Sequence, residues 1–511
     1  MLPILARDAL DLVKRTPTAA ILWRRLASML RTIDVATCAA MLDEMAQWRF
    51  DHPAAQWLHY SAMAGLTLEP HWLTRQAALA DAHTAPGALA ALLQLNWYYA
   101  LTNGGAHEGF TRRLQVIDAV HLQRLLARQL GAARPAPSAR PGQRPPRVAV
   151  YTPDLADRRH GGTIFTLNML SLLTGQAAVV RAFCGQEMTS PDMAAYCGSD
   201  IVVPPALDAA ALTLHVRGSL DVKLGHTELS LAPRLDSVLQ EIHGFEPDLV
   251  LFVGFLSPLV YRLHEHYPVL GLSLHALTPM VPLDAWLSPQ EDAPVQPWPG
   301  LPTPAAAPFP CRFWPAAAPQ ARRRAELDLP DDALVLVTSG TRLHVEITEQ
   351  WGAAMVALLD AHPGAYWLLI GMPEAQPLAG VGAHPRIRRL AQQERLEPWL
   401  ALADIYANPP RMGGGGSVAM AMQQGLAVAA YAHTDGGDKT GPWAAPSQAA
   451  YLGALDGWLR DPDARRAAAR AMRERHAEVL DMSGEQAGRR LAAAMQLAIE
   501  QFHRRQKESD E

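Results

Sequence analysis

RMGGGGSVAMAMQQGLAVAAY, residues 411–431, reads as turn, helix, turn and strand in one continuous run. Gly413 to Gly416 give a turn without side chains, which costs conformational entropy and gains no packing. Ser417 has the chemistry of a helix N-cap, and Ala419, Met420, Ala421 and Met422 are helix formers. Gly425 fits the end of that helix, and LAVAAY after it has the continuous apolar character of a buried strand. A bare turn at a helix start lets a phosphate approach backbone N–H groups at the positive end of the helix dipole. The alternative for this stretch by itself is a tight glycine-rich loop without a ligand.

The flanking sequence favours the first reading. The strand DIYANP (404–409) runs directly into the turn, so the turn lies at the carboxyl edge of a sheet, where open α/β sheets bind ligands. ALVLVTSG (333–340), AYWLLIG (365–371), ADIYANP (403–409) and LAVAAYA (426–432) are the strands of this block, with helices between. Further upstream RVAVYT (147–152), VVRAFC (179–184), DLVLFVG (248–254) and VLGLSLH (269–275) alternate with helical segments such as RLDSVLQEIHGF (234–245). The proline-dense stretch from Thr278 to Pro319 separates the two blocks and is expected to hold no regular element. Two Rossmann-like lobes with a cleft between them follow. Residues 147–320 form one lobe and residues 321–511 the other, with terminal helices.

Before the lobes, residues 1–132 are helical in pattern. ILARDALDLVKR, AAILWRRLASML and VHLQRLLARQL repeat apolar residues at three- and four-residue spacing, and RFDHPAAQ and LTLEPHW read as loops. ARPAPSARPGQRPP (133–146) breaks all periodicity and reads as a linker. At 511 residues the chain is too long for one core. A net charge of −5 gives no general field for nucleic acid, and no apolar run is long enough to span a bilayer. Cys38, Cys184, Cys197 and Cys311 lack zinc-ligand spacing and read as free thiols. MLPILARDALDLVKRTP has no signal-peptide pattern, so a cytoplasmic protein is expected.

The order of the pieces resembles the GT-B glycosyltransferases. More narrowly it resembles the family of O-GlcNAc transferase and the bacterial cytoplasmic N-glycosyltransferases that modify adhesins. The likeness runs through RVAVYTPDLADRRHGGTIFTL, the segment from DLVLFVG to DAWLS, LPDDALVLVTSGTRL and LADIYANPPRMGGGGSVAMAMQQGLAVAAY. It implies an α/β GT-B fold with an all-helical N-terminal domain, an acceptor lobe (147–320) and a nucleotide-sugar lobe (321–511). The family's threonine pair is replaced by Gly416 and Ser417, its ribose-binding acid by Met420, and its diphosphate lysine falls near Val345. The paired glutamates of retaining GT-B enzymes are absent, since Met412 and Met420 stand at those places.

The chemistry asks for a stabilised diphosphate leaving group and a positioned acceptor. Gly414, Gly415, Gly416 and Ser417 are the candidate phosphate turn, with Arg342 or Lys439 as the cation and Asp438 for the ribose. Each has a plain alternative as a cap or a surface loop. His275, where the resemblance places a histidine of the acceptor lobe, and His160 in DRRHGGT are the candidate catalytic residues, and Asp154 is expected to orient the His160 loop. His264 and His266 in LHEHYP point apart on a helix and read as surface. No metal and no cofactor are expected, the nucleotide-sugar being a substrate. The partners implied are that donor and an acceptor protein such as an adhesin or other surface protein, with no nucleic acid and no membrane span. Transfer to a glycan or lipid-linked acceptor, a nucleotide-sugar epimerase and a non-catalytic GT-B module are the alternatives.

Overall fold

A computed structural model describes residues 2–102, 105, 107–131, 146–155, 161–176, 179–187, 191–199, 222–290, 295, 297–314, 322–372 and 377–510. The expected linker falls almost wholly outside these residues. Continuous apolar runs become strands buried on both faces of parallel sheets. The first sheet holds β1 (Arg147–Thr152), β2 (Val179–Cys184), β3 (Val222–Leu224), β4 (Leu249–Val253), β5 (Val269–Leu272), β6 (Ala285–Ser288) and β7 (Ala305–Pro308). Their order is β3-β2-β1-β4-β5-β6-β7. The second sheet holds β8 (Leu334–Ser339), β9 (Ala365–Ile370), β10 (Ile387–Leu390), β11 (Ile405–Ala407) and β12 (Ala427–Ala429), in the order β10-β9-β8-β11-β12. Every pairing is parallel; Val148 stands between Val180 and Leu249 in the first sheet. The order reverses between β1 and β4 and between β8 and β11, which opens a crevice at the carboxyl ends of each pair.

Three expectations are corrected. The stretch 278–319 does carry regular structure: β6 and β7 extend the first sheet, with Trp286 fully buried. They are short and lie between the prolines, and Pro308 closes β7 at the sheet edge, where a missing N–H is tolerated. The loops read at RFDHPAAQ and LTLEPHW contain helix starts, because Pro53 and Pro70 occupy the first helical position, where no N–H is needed. The terminal helix Glu485–Asp510 belongs with the first lobe, not the second. Its buried stripe of Ala487, Leu491, Ala494 and Ala498 joins the core that contains Leu270 and Leu287, and Arg505 pairs with Asp284 at 3.1 Å.

The helical block is joined to the first lobe by a shared core. Trp23, Leu92 and Leu126 belong to one apolar cluster with Leu235, Val260 and Trp286. Gln123 is buried in the seam, donating to the Met280 carbonyl and accepting from the Ser257 N–H, both at 2.9 Å. Trp97, in the LNWYYAL segment, packs inward on Phe110 and Phe255.

Candidate functional site

At the end of β11 the chain turns on Asn408 and Arg411. Arg411 is buried. Its Nη1 pairs with Glu346 at 2.8 Å, its Nη2 donates to the Ser339 carbonyl at 2.7 Å, and its Nε donates to Asn408 at 3.1 Å. It therefore ties the end of β11 to the end of β8 across the switch point. Burial alone would raise the Glu346 carboxyl, but Arg411 and Arg342 outweigh it and its pKa is lowered. Gly414 passes this guanidinium with φ +76°, and a Cβ there would sit 2.3 Å from Arg411 Nη2. Only glycine fits.

The helix Gly415–Gln424 starts at Gly414, so Gly414 and not Ser417 is its N-cap, and no side chain caps it. Asp34, Asp118, Ser257 and Thr434 do cap other helices. Ser417 lies in the first turn and borders the cleft, whereas Gly415 is buried and Gly416 has open space where a Cβ would be. The uncapped N–H groups and the dipole make this end suited to an anion.

The cleft is a cavity of about 530 Å³ between the lobes, with Gly414, Gly416, Ser417, Arg342 and Met420 on one side and Ile164, Asn168 and Trp314 on the other. Arg342, past the end of β8, is 37% exposed along its side chain and pairs with Glu346 at 2.9 Å. Glu346 thus holds two arginines, one structural and one facing the cleft. Glu394 also borders the cleft, as does Gln423, one helical turn from Met420, whose side chain is apolar. The sequence reading missed Arg411, Glu346, Gln423 and Glu394. The signal available was the ion-pairing capacity of Glu346, four residues after Arg342.

Beneath the turn three parts of the chain meet on Asp435. Its Oδ2 accepts from the Gly413 N–H at 2.8 Å and from His275 Nδ1 at 2.9 Å; its Oδ1 accepts from the Ala276 N–H at 3.2 Å. His107, from the helical block, stands 3.7 Å from both Asp435 and Asp438, an ion-pair distance rather than a hydrogen bond. Asp438 accepts from Gln290 at 2.7 Å. Burial pushes Asp435 up, but His275 and His107 hold it well below the usual carboxylate range; burial would lower His107, but Asp435 and Asp438 raise it. Asp438 and Lys439, at 7% and 4% exposure, sit in this buried junction and do not border the cleft with Ser417. Burial raises Asp438 and lowers Lys439. His107, Asp435 and Asp438 have ligand-type atoms within 4.8 Å of one another, but Lys439 and Arg312 beside them already compensate the carboxylates.

His275 is buried against Trp97 and Phe110, with ring centroids 5.2 and 5.7 Å away. With Nδ1 donating to an ionised Asp435, the lone pair falls on Nε2. The ring borders a second cavity of about 200 Å³ at the first lobe's own switch point, reached by Thr152 and Asp154 past β1 and by Gly254 and Phe255 past β4. The two cavities are neighbours: Gly161 borders the cleft and Gly162 the second cavity. His160 lies outside the described residues. His264 is not a surface residue; it is buried 3.4 Å from Asp284, because the terminal helix covers that face.

No family model matches the chain, and no curated protein matches it. Among solved structures, a mutant of O-GlcNAc transferase from Thermobaculum terrenum aligns with a TM-score of 0.57 and 15% identity, over 98% of this chain and 94% of that one. An S. aureus MnaA–UDP structure reaches 0.43 at 11% identity, covering 68% of this chain and 95% of that one. WaaG, a glycosyltransferase involved in lipopolysaccharide biosynthesis, reaches 0.41 at 13% identity, covering 66% and 98%. The last two likenesses are too loose to carry an argument. The first spans nearly both chains and agrees with the sheets above: this is a two-lobe α/β fold of the GT-B kind with a helical N-terminal region.

Proposed function

We propose that this chain moves a hexose from a nucleotide-sugar, with UDP as carrier, to a protein side chain, with inversion and without a metal. The observation that carries the reading is the shared oxygen of Asp435, which accepts from both His275 Nδ1 and the Gly413 N–H. One carboxylate thereby links a base to a phosphate-type turn. In the reaction the bond from the anomeric carbon to the diphosphate breaks while the acceptor's bond forms on the opposite face. The acceptor proton passes to His275 Nε2, and Asp435 stabilises the resulting imidazolium. The leaving charge meets the helix N-terminus, the Ser417 hydroxyl and Arg342. The whole-chain fold likeness to an O-GlcNAc transferase supports a sugar donor; a protein acceptor, for instance a surface protein, is part of the proposal itself. Cys38, Cys184, Cys197 and Cys311 form no disulfide, which suits the cytoplasm.

Calorimetry with UDP, followed by assays of UDP-hexose turnover and of hexose-modified protein by mass spectrometry, tests the proposal. Ser417→Ala removes one charge-assisted hydrogen bond and should weaken UDP by about 1.5–3 kcal/mol. A folded chain that binds no UDP overturns it.

A further inference from the structure

The donor chemistry uses the interlobe cleft and one edge of the second cavity. The rest of that second cavity is unassigned. It lies at the carboxyl ends of β1 and β4, the position where an open parallel sheet binds its ligand. The helix Pro86–Leu101 roofs it with Ala90, Leu93 and Trp97, and Phe255 and Val253 wall it from the sheet side. An apolar cavity of about 150 Å³ holds a benzene ring. At about 200 Å³ this one has room for one ring and a few further atoms. Its apolar walls would leave most hydroxyls of a sugar, and the polar groups of a polypeptide backbone, without partners.

Its polar groups are few and specific. His275 borders it, with Nδ1 held on Asp435 and the lone pair left on Nε2. Glu187 borders the cavity from the segment after β2, its Oε1 accepting from Ser257 at 2.6 Å and from the Tyr151 hydroxyl. Those two donors leave Oε2 as the oxygen that they do not use. Burial, with Asp154 adding to it, pushes this carboxyl up to about 8 against the two hydroxyl bonds and Arg234 that lower it, so near neutral pH it is an uncharged acid. An uncharged acid can give a hydrogen bond to a neutral oxygen. An anion would gain no compensating charge from it and would be desolvated by the apolar walls.

We infer that the second cavity takes one small, uncharged aryl alcohol group, with its ring against Leu93, Trp97 and Phe255 and its hydroxyl on His275, and that Glu187 sets the preference for a neutral ligand. The group comes either as a free phenol-type molecule or as a tyrosine side chain of a polypeptide. Binding is independent of the transferase reading; the fate of the hydroxyl rests on it. In that step the phenolic oxygen bonds to the anomeric carbon and its proton goes to His275. The sugar–diphosphate bond breaks, and its electron pair leaves with the diphosphate.

The probe is 4-ethylphenol, followed on the full chain by calorimetry and ligand-observed NMR. Saturable binding is expected, with 4-hydroxyphenylacetate weaker by on the order of tenfold or more. Ala90→Phe, which fills the roof, should abolish binding of 4-ethylphenol and leave UDP affinity unchanged; Leu93→Phe serves the same purpose should Ala90→Phe fail to fold. Absence of binding to the wild-type chain, equal affinity for the carboxylate, or binding unaffected by a folded filling variant overturns the inference. Glycosylation of 4-ethylphenol in the presence of a UDP-hexose identifies the free molecule as the source. Competition with a tyrosine peptide, without turnover of the phenol, identifies the side chain. Phenol binding in a chain that binds no UDP keeps the cavity and overturns the transferase reading alone.

Discussion

The two switch points share a topology and differ in chemistry. In each, two neighbouring parallel strands send their connections to opposite faces and leave a hole at their carboxyl ends. In the second lobe the hole is wide and polar: a bare helix start, Arg342 and an ionised Glu346 clamped between two arginines. In the first lobe the hole is small, apolar and roofed by helix, and burial holds its glutamate neutral although Arg234 acts to lower it. Topology supplies the place for a ligand. Whether cations outweigh the burial of a carboxylate decides which kind of ligand belongs there.

The comparison is broken hardest by making the same change in both places. Glu346→Gln strands the buried charge of Arg411 and should cost about 3–5 kcal/mol in urea unfolding at neutral pH. Glu187→Gln replaces a group that is already neutral and should cost little. The two also part in their pH dependence. Glu346 is lowered, so its stabilisation is present above its ordinary value of 4.5 and is lost as pH falls through the folded value. Glu187 is raised to about 8, so the wild type is most stable below 4.5, loses stability as pH rises from there through about 8, and levels off above it. Glu187→Gln removes that decline, and at about pH 9 the variant should be more stable than the wild type. Equal costs for the two substitutions would show that the lobes do not differ as described.

The next effect concerns the bridge between the two sites. His275→Ala should lower kcat by at least about a hundredfold while UDP affinity changes little, because the ring borders the first lobe's cavity and not the cleft. Steady-state kinetics beside calorimetry separate the two quantities. Normal kcat would return His275 to a packing role at the lobe junction.

Smaller effects sharpen the description of the turn. Gly414→Ala must hold a left-handed backbone against Arg411, which should cost about 1–3 kcal/mol and most of the UDP affinity. Gly416→Ala meets open space and should leave the thermal midpoint unchanged. The smallest effect should come from chelation: EDTA is expected to leave turnover unchanged if Arg342 and the helix N–H groups answer the leaving charge as proposed. Activity abolished by EDTA and restored by Mg²⁺ or Mn²⁺ would assign that charge to a metal.

Removing the helical block would not isolate an acceptor platform. Its core runs into the first lobe, it supplies the roof of the second cavity, and His107 reaches the Asp435 junction. The truncation that its sequence boundary invites exposes Leu126, Leu235 and Val260 together. Loss of solubility is the expected outcome, read by expression and size-exclusion chromatography.

What the sequence determined is whatever repeats at short range. RVAVYT, DLVLFVG and ALVLVTSG are strands because short apolar runs rich in β-branched residues and bounded by turn residues suit the doubly covered strands of a parallel sheet. The glycine turn was legible because Gly413 and Gly414 take a backbone that other residues rarely adopt, and its place after a strand put it at the sheet's carboxyl edge. The tertiary structure decided the pairings. His275 and Asp435 are 160 residues apart, and Arg411 and Glu346 are 65 apart. Neither partner has a local pattern that names the other. The same holds for the terminal helix, whose apolar stripe fits either lobe in one dimension and is assigned to the first by Asp284 and the faces of β5 to β7. It holds also for Glu187, whose charge depends on how deeply the fold buries it and on how far Arg234, 47 residues along the chain, offsets that burial. Local sterics are written residue by residue along the chain, whereas burial and charge compensation exist only once distant segments have been brought together.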